Sequence, residues 1–567
     1  MRILACKING KMAKLSFKKL PEDYPSLFPE DIYERIPANH PVRLIDKVVD
    51  SLDISFILST YNGGGNSAYS PRIMLKILFY AYFSNIYSSR KIAKALEENI
   101  YFMWLARHAT PNFRTINDFR SKRLKDHIDT LFADLVLMLV KLGYVSLKKQ
   151  YIDGTKIESA SNRYTFVWRK SVEKNKAKLQ EKVQVILNVI HRQIIQDDEE
   201  NDYDLPDEIN SEELEKEVTR INEKIKNKPK NKIIIKQLKT IEGEYLPRLK
   251  NYEQQLKQLG ERNSYSKTDV DATFMRMKDD HMKNGQLKPS YNAQASSEEQ
   301  FVTYFSIHQT PGDTTCLIPH LDGFKKAYDT QSQEIVADAA YGSEENYEYL
   351  EAQQIEAYVK YNYFHQEQKQ KHKANIFHPS NLYYNKQEDY YVCPMGQKMR
   401  KINEGTRVST NGYESKVSYY QAQNCNGCPL RGGCHKGHEN RIIEINHRLN
   451  QLRDNAKTRL LSEKGIYHRS KRPAEIEAVF GQLKSNNKFN RFTLRGLSKV
   501  EIEFGLMAIG HNLRKLMVKL TEDNKDLKDI FDKLINSIEK IIVFIRNIFL
   551  ESIILLKSYS FSKKLAS

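Results

Sequence analysis

The chain has 567 residues, with 89 Lys or Arg against 71 Asp or Glu, so its formal net charge is +18. A chain of this length can form several domains and a substantial hydrophobic core. Its six cysteines are too few for a disulfide framework. The basic charge points to a polyanionic partner, most often nucleic acid, and a merely basic protein is the alternative.

Neither a targeting signal nor a membrane span stands out in the sequence. Residues 1–20 lack both a sustained apolar run and a cleavage site. The most apolar segment, 541–556, contains Arg546, Asn547 and Glu551 and is shorter than the ~20 apolar residues that a span needs. We therefore expect no membrane partner and a cytoplasmic, DNA-associated protein.

The first part of the chain changes from proline-rich to helical. Residues 1–40 contain several prolines and predict a loose leader. Residues 41–147 show helical patterns throughout. Pro71 can open an apolar helix, and Ser88 or Ser89 can cap the next one. These signals predict a helical N-terminal domain.

A third helix of this domain begins beside a basic cluster. Thr115 and Asp118 have the spacing of a capping box, and Arg120 and Arg123 follow them closely. Short helices with basic starts are typical of a helix-turn-helix DNA reader, and a plain helical bundle is the alternative. We expect Arg120 and Arg123 to contact double-stranded DNA.

Strand patterns in the middle of the chain are interrupted by a long insertion. Residues 148–168 include a short strand that presents Asp153. Residues 169–262 are rich in Lys, Glu and Gln, with apolar residues at heptad-like spacing. We predict helical hairpins or a coiled-coil arm there, and a solvated spacer is the alternative. Strand patterns resume in 263–360, where Asp338 follows a β-rich run.

A cysteine cluster marks a second insertion, residues 361–470. A C-x2-C pair followed by a third cysteine six positions later predicts a zinc knuckle. Reduced structural cysteines are the alternative. The candidate zinc ligands are Cys393, Cys425, Cys428 and Cys434, with His435 or His438 as alternatives for the fourth.

Residues 471–496 carry the most informative pattern. Glu477, Gly481 and Lys484 fall on one flank of a predicted helix, which combines an oxygen ligand, a gap and a cation. That combination suits a metal ion beside a phosphate backbone, and a surface Glu–Lys pair on a core helix is the alternative. Four apolar residues at i, i+3, i+4 and i+7 form the predicted buried stripe: Ile476, Val479, Phe480 and Leu483.

Basic residues alternate with aromatic residues after this helix, as in a strip that contacts nucleic acid. The basic members are Lys488, Arg491 and Arg495, and the aromatic members are Phe489 and Phe492. Glu475 falls on the flank opposite Glu477, so we expect a surface residue near the helix start. The tail, 520–567, is helical in pattern and shows no site. The strands and helices around these segments predict an α/β core assembled from distant pieces of the chain.

In this order and setting, Asp153, Asp338 and Glu477 resemble the acids of DDE transposases with a ribonuclease-H-like core. The closer resemblance is to bacterial insertion-sequence transposases, and it covers roughly residues 20–517. It rests on segments such as PNFRTINDFR, YIDGTKIESASNRYTFVWRK, VADAAYGSEENYEYL and EIEAVFGQLKSNNKFNRFTLRG. The resemblance implies a ribonuclease-H-like mixed sheet core made of residues 148–168, 263–360 and 471–519.

The resemblance also implies the chemistry. Asp153, Asp338 and Glu477 would bind two divalent metal ions, normally Mg²⁺ or else Mn²⁺, which prefer hard oxygen ligands. Two such ions stabilise the attacking and leaving oxygens of an in-line displacement at phosphorus. The implied activity is cleavage at transposon terminal inverted repeats and transfer to target DNA, by a homodimer in the DNA complex. A transposase-derived regulator without catalysis and a same-fold nuclease that cuts without joining are the alternatives.

One departure from the family pattern concerns its Tyr-Arg-Glu-Lys signature, in which the arginine lies four residues before the glutamate. Here Pro473 occupies that place, and Arg472 lies five residues before Glu477. Lys484 fits the signature and is implied as a DNA contact, whereas the roles of Tyr467 and Arg472 are left open. The rival acids for the place of Asp153 are Asp269 and Asp271.

Overall fold

A computed structural model describes residues 32–61, 67–195, 209–225, 232–277, 285–409 and 411–523. The predicted α/β class is confirmed, and the curled mixed sheet with its many helices is consistent with a ribonuclease-H-like core. Most of the predicted leader and tail, together with the apolar segment 541–556, lies outside the described residues.

The N-terminal part is helical, as predicted. Pro41 and Pro71 each occupy the first helical position, where the missing N–H costs nothing. The third predicted helix is capped by Asn112, whose side chain accepts a hydrogen bond from the Thr115 N–H at 2.9 Å. The cap is therefore three residues earlier than the predicted capping box. The helices are α1 (Ile32–Arg35), α2 (Pro41–Ser51), α3 (Ser55–Leu58), α4 (Pro71–Phe83), α5 (Ser89–Glu98), α6 (Ile100–Leu105), α7 (Phe113–Asp118) and α8 (Ile128–Lys141), with a π-helical segment at Phe119–Arg123.

The central sheet mixes parallel and antiparallel strands. The strands from β1 to β8 are β1 (Lys149–Glu158), β2 (Phe166–Trp168), β3 (Ser264–Ser266), β4 (Thr273–Arg276), β5 (Leu287–Glu298), β6 (Phe301–His308), β7 (Glu334–Ala337) and β8 (Glu356–Val359). The sheet order is β4–β5–β1–β7–β8, with β6 also paired to β5. β1 runs antiparallel to β5 but parallel to β7, which is itself parallel to β8.

The first insertion is a packed helical bundle, so the helical prediction holds over the solvated spacer. β2 and β3 pair antiparallel at its base. Its helices enclose a separate apolar cluster that includes Leu187, Leu214 and Leu249. They are α9 (Arg169–Ile195), α10 (Ser211–Ile225), α11 (Lys232–Thr240) and α12 (Leu246–Leu259), with a π-helical segment at Ile241–Tyr245.

Two helices cover one face of the central sheet. They are α13 (Leu317–Tyr328) and α14 (Glu344–Ala352). Leu317 and Leu321 of α13 and Tyr347 of α14 share an apolar cluster with Ile152 of β1 and Ile335 of β7. This packing fixes the height of β1 and β7 relative to the helices.

A second sheet follows β8 along the chain. Its five strands lie side by side in the order of the chain, and every neighbouring pair is antiparallel. A small apolar cluster that includes Tyr391, Met399 and Tyr420 holds it together. Its elements are α15 (Phe364–Glu367), α16 (Gln370–Lys373), β9 (Tyr383–Asn385), β10 (Tyr390–Val392), β11 (Lys398–Val408), β12 (Glu414–Ala422), α17 (Arg431–Cys434) and β13 (Ile442–Ile445).

The C-terminal helices return to the central sheet. They are α18 (His447–Leu461), α19 (Glu463–Lys471), α20 (Ala478–Gly481) and α21 (Leu497–Glu522), with π-helical segments at Pro473–Glu477 and Gln482–Asn486. α21 packs against α4, α8 and β6, and the N-terminal helices share one hydrophobic core with it. None of the helices described in the structure has both the length and the apolarity needed to cross a membrane.

Gly510 allows α21 to lie directly against α4. A Cβ at this position would lie 2.9 Å from the carbonyl carbon of Tyr82 and 3.0 Å from its oxygen. We expect Gly510→Ala to force the helices apart and to lower the melting temperature, because overpacking costs about 1–3 kcal/mol. Differential scanning fluorimetry of the full chain measures the change.

Gly243→Ala is the matched control for this substitution. Gly243 lies in a helical segment where an added Cβ meets nothing within 4 Å. Because alanine favours helix over glycine, we expect its melting temperature to stay level or rise. Equal melting temperatures for Gly510→Ala and the unaltered chain would contradict the close approach of α21 to α4.

Candidate active site

Two of the three predicted acids lie at the same level of adjacent parallel strands. Asp153 lies within β1, and Asp338 directly follows β7. The parallel register pairs Tyr151 with Val336, so each acid lies two residues beyond a paired position. The structure therefore brings together two carboxylates that are far apart in the sequence.

Asp338 begins a turn at the carboxyl end of β7, an inner strand of the sheet. Its Oδ1 accepts a hydrogen bond from the Ala340 N–H at 2.9 Å, which caps a short 3₁₀ helix, Ala339–Tyr341. The Tyr341 hydroxyl is buried and donates to Gln294 Oε1. Burial raises the pKa of Tyr341 well above its usual range, and the negative charges of Asp313, Asp153 and Asp338 act in the same direction. Tyr341 thus stays a neutral donor beside the acids.

Asp313 is an acid near this site that the sequence analysis did not single out. Its Oδ1 accepts hydrogen bonds from Asn292 Nδ2 at 2.7 Å and Gln294 Nε2 at 2.9 Å. It lies behind Gly154, where an added Cβ would overlap Gln294 and would lie 2.6 Å from Asp313 Oδ1. Gly154 therefore allows these polar side chains to approach the backbone next to Asp153.

Arg472 connects Glu477 to Asp153. The arginine side chain is only 6 % exposed, its Nη1 lies 2.5 Å from Glu477 Oε1, and its Nη2 lies 3.3 Å from Asp153 Oδ1. The Glu477 side chain is 49 % exposed, so it has a protein partner on one side and solvent on the other. The two carboxylates thus lie on either side of one guanidinium group.

Lys360 is a further cation at this site that sequence reasoning missed. It directly follows β8, and its N–H donates to the Ala337 carbonyl at 3.3 Å. Partial burial lowers the pKa of Lys360, as does the nearby charge of Arg472, whereas Asp338 and Glu477 act in the opposite direction. A lysine directly after an apolar strand run was the signal that could have identified it.

The site contains carboxylate oxygens, which are hard metal ligands, but these ligands do not form a complete metal-binding site. Among the described residues, no three His, Cys, Asp or Glu side chains are arranged as ligands of one metal ion. The Arg472 guanidinium lies between the carboxylates of Asp153 and Glu477, and a cation is therefore already present there. The site contains the donor types for a divalent metal ion in an open arrangement.

The predicted helical stripe is buried, but the helix is not an α-helix throughout. Ile476, Val479, Phe480 and Leu483 are all in the core, which confirms the predicted burial. A π-helical segment covers Pro473–Glu477 and a second covers Gln482–Asn486. In a π-helix the backbone bond joins residues five apart, so residues at that spacing lie on the same side of the helix. This explains how Arg472 reaches Glu477.

The expectation that Glu475 is a surface residue was wrong. Glu475 is 3 % exposed, and its Oε2 accepts a hydrogen bond from the Gln300 N–H at 2.8 Å. Burial raises the pKa of Glu475, chiefly because the charged form loses its hydration. Glu475 therefore faces the β5–β6 turn, while Glu477 contacts Arg472.

The basic strip after the helix divides into exposed cations and buried rings. Lys488 is exposed, and an added Cβ at Gly481 would meet nothing within 4 Å, so the predicted gap is open. Phe489 and Phe492 lie in the hydrophobic core, so the aromatic half of the predicted strip does not face nucleic acid. Lys484 is partly buried.

Arg491 and Arg495 hold the loop that follows β1. Arg491 donates from Nε to the Ser159 carbonyl at 3.0 Å and from Nη2 to the Ser161 carbonyl at 2.9 Å. Arg495 donates from Nε to the Ala160 carbonyl at 2.7 Å. Both arginines are exposed, so these bonds leave part of each guanidinium group at the surface.

The two arginines of the N-terminal domain that were predicted to contact DNA, Arg120 and Arg123, have internal partners. Arg120 is 2 % exposed and donates to the Tyr82 hydroxyl at 2.9 Å and the Tyr87 carbonyl at 2.8 Å. This burial corrects the expectation that Arg120 contacts DNA, because its guanidinium cannot reach the surface. Arg123 is partly buried, donates to the Thr60 carbonyl and lies over the Tyr61 ring.

The rival acids lie apart from Asp153 and stabilise loops. Asp269 is buried and accepts hydrogen bonds from the Ser159 hydroxyl at 2.5 Å and the Tyr291 hydroxyl at 2.9 Å. Asp271 accepts from the Leu497 N–H at 2.9 Å. Their contacts support a structural role.

The four clustered cysteines line one pocket in the second sheet region, together with Arg441. Arg441 donates from its backbone N–H to Cys425 Sγ at 3.4 Å and from Nη1 to Cys434 Sγ at 3.0 Å. All four cysteines are free thiols. They are Cys393, Cys425, Cys428 and Cys434.

Comparison with protein families gave two matches. A family described as a transposase DDE domain matches residues 392–517, and a family described as a transposase domain (DUF772) matches residues 30–122. The first match contains Glu477 and the four pocket cysteines but neither Asp153 nor Asp338. Searches of curated proteins and of solved structures returned no match.

The buried Glu475 should make stability depend on pH. Because its folded-state pKa is raised, the carboxyl group opposes folding increasingly as pH rises through its usual value of 4.5 towards the folded-state value. We expect the melting temperature of Glu475→Gln, relative to that of the unaltered chain, to rise between pH 4 and pH 8. Glu261→Gln, at an exposed position, should show no such trend. A constant difference across this range for Glu475→Gln would contradict the assignment.

Proposed function

We propose that this chain binds transposon ends and cleaves and joins DNA. The starting point is that the two domain matches support an insertion-sequence DDE transposase. The observation that supports the proposal is how the structure relates three acids that are far apart in the sequence. Asp153 and Asp338 lie at one level of adjacent strands, and Arg472 ties Glu477 to Asp153. Phosphoryl transfer is the reaction that this arrangement supports.

The acids fit a divalent metal ion by their chemistry. Asp153, Asp338 and Glu477 would provide hard carboxylate oxygens to Mg²⁺ or Mn²⁺. When bound, such ions stabilise the attacking and leaving oxygens of an in-line displacement at phosphorus. The Arg472 guanidinium between two of the carboxylates supports the fit, because it already marks a position for positive charge.

Several cations of the chain would bind and orient the DNA backbone around these acids. Lys360 lies beside Asp338 and can attract a phosphate oxygen. The open space at Gly481 allows a backbone to approach the helix that carries Glu477. Lys484 and Lys488 extend the basic surface along that helix, and we assign both to phosphate contacts. Such contacts position DNA and make its affinity depend on salt.

The N-terminal helices would recognise the terminal inverted repeats. Lys122 and Lys125 are exposed in the segment that follows α7, and the Arg90 guanidinium lies 5.2 Å from the Phe113 ring at the surface. We propose that double-stranded DNA contacts this side of the domain, with Arg123 at its edge. Transposon-end and target DNA would meet in a homodimer.

Two variants separate catalysis from binding. Glu477→Gln nearly preserves shape but removes a charged metal ligand. We expect it to retain affinity for terminal-repeat DNA and to lose Mg²⁺-dependent nicking by at least about 100-fold, since even indirect metal partners cost 10–100-fold. The matched control, Glu475→Gln, should nick within a few fold of the unaltered chain. Gel shift and a single-turnover nicking assay measure the two properties.

The outcomes distinguish this proposal from its alternatives. Nicking by Glu477→Gln at the unaltered rate would remove Glu477 from the site. Binding without any nicking by the unaltered chain would favour a DNA-binding regulator. Nicking without a joined product, in an assay that supplies target DNA, would favour a nuclease of the same fold.

We also propose a structural Zn²⁺ in the cysteine pocket. Four thiols in one pocket, with Arg441 donating to two sulfurs, support it, because such donors stabilise thiolates. Gly396 and Gly427 adopt φ of +81° and +68° in the turns after Cys393 and Cys425, a conformation that glycine favours. Zinc binding would require the four sulfurs to move closer together than they are here.

Zinc analysis of the purified chain tests this second proposal. We expect about one equivalent of Zn²⁺ under reducing conditions without chelator, because four thiolates complete a tetrahedral site. Cys428→Ser should lower the zinc content, whereas Cys316→Ser, at a buried cysteine outside the pocket, should leave it unchanged. Less than half an equivalent in the unaltered chain would rule the site out.

A further inference from the structure

We propose that Arg472 is a positioning residue that holds Glu477 beside Asp153 and competes with a divalent metal ion for these two carboxylates. The inference rests on the proposed function, since it takes both acids as metal ligands. It goes further by assigning a role to a residue five positions before Glu477, one position away from the family's usual arginine.

The contacts of Arg472 are those of a bridge between two elements. Nη1 lies 2.5 Å from Glu477 Oε1 on the C-terminal helical run, and Nη2 lies 3.3 Å from Asp153 Oδ1 on β1. Glu477 is about half exposed and needs a partner to be held in one direction. Asp153 is buried and needs a counter-charge, because an unpaired buried carboxylate is costly. One guanidinium meets both requirements.

The π-helical segment makes this bridge geometrically available. Residues five apart lie about 140° apart around an ideal α-helix, which would turn Arg472 away from Glu477. The segment Pro473–Glu477 is π-helical, and Arg472 is its N-cap. In this conformation residues five apart lie on the same side of the helix. Pro473, the first residue of the segment, lacks an N–H and cannot make the backbone bond of an α-helical turn.

The hydrogen bonding of Arg472 is incomplete. Its Nη1 donates to Glu477, whereas its Nη2 meets Asp153 as an ion pair at 3.3 Å without hydrogen-bond geometry, and its buried Nε has no acceptor among the described residues. Lys360 lies close enough for the charges of Arg472 and Glu477 to shift its pKa. The site therefore contains two positive charges, those of Arg472 and Lys360, without any metal ion.

Competition follows from these charges. The Arg472 guanidinium lies within 3.3 Å of both carboxylates. A divalent ion bound by Asp153 and Glu477 would repel this guanidinium and would replace it as the partner of the two acids. Arginine and metal ion therefore oppose each other's binding, and removal of the arginine should strengthen metal binding. Coupling between two sites in proteins is typically about 5- to 150-fold. A purely structural arginine would instead weaken metal binding when removed, because the acids would lose their alignment.

The test is Mn²⁺ binding by the purified full chain, measured as free Mn²⁺ by electron paramagnetic resonance, together with the rise in melting temperature on adding Mn²⁺. We expect Arg472→Gln to melt lower than the unaltered chain without metal. We also expect it to bind Mn²⁺ at least about fivefold more tightly and to gain more stability from it. Arg472→Lys keeps the charge without the two-pronged geometry and should lie in between.

Arg448→Gln is the matched control. Arg448 carries the same charge on α18, and its guanidinium pairs with Glu348 and Glu351 of α14. We expect its Mn²⁺ affinity to match that of the unaltered chain. Arg472→Gln or Arg472→Lys binding Mn²⁺ as weakly as the unaltered chain, or more weakly, would overturn the inference.

Asp153→Asn separates this inference from the proposed function. Loss of Mn²⁺ affinity in Asp153→Asn, with no gain in the Arg472 variants, would leave the metal site in place and reject only the role of Arg472. Unchanged Mn²⁺ affinity in both Asp153→Asn and Glu477→Gln would reject the metal site and, with it, the inference.

Discussion

The parallel pairing of β1 with β7 is the constraint on which the candidate site depends. It sets Asp153 and Asp338 at one level, although 185 positions separate their residue numbers. α13 and α14 pack on these strands and prevent them from sliding relative to each other. The helical bundle between β2 and β3 is an insertion that leaves the register of β1 with β7 unchanged, because β2 and β3 pair with each other at the base of the bundle.

Charge balance is the second requirement of the site. Carboxylates gathered on adjacent strands repel one another, and burial increases the free-energy cost of keeping them charged. Two cations balance these charges: Arg472 lies between two of the acids, and Lys360 follows β8. An acid cluster balanced by side-chain cations can exchange those cations for metal ions or for DNA contacts, whereas an acid cluster balanced only by buried hydrogen bonds cannot.

Local patterns predicted much of the fold, and long-range contacts decided the remainder. The spacing of Ile476, Val479, Phe480 and Leu483 predicted their burial, because that depends on periodicity alone. The buried Glu475 was missed, since its partner Gln300 lies in a distant turn. The burial of Arg120 was also missed, because its partners Tyr82 and Tyr87 lie more than 30 positions earlier in the sequence. The role of Arg472 was left open because it lies five residues before Glu477, where the family signature has its arginine at four, and its contact with Glu477 depends on a π-helical segment.

Localised oxidative cleavage of the polypeptide tests most directly whether the three acids form one metal site. Fe²⁺ can replace Mg²⁺ on oxygen ligands, and with ascorbate and peroxide it generates hydroxyl radicals that cut the nearest backbone. If the three acids form one metal site, we expect fragments that end near residues 153, 338 and 477 together, and we expect excess Mg²⁺ to suppress all of them. Cuts near only one of these positions, or cuts confined to other parts of the chain, would contradict it.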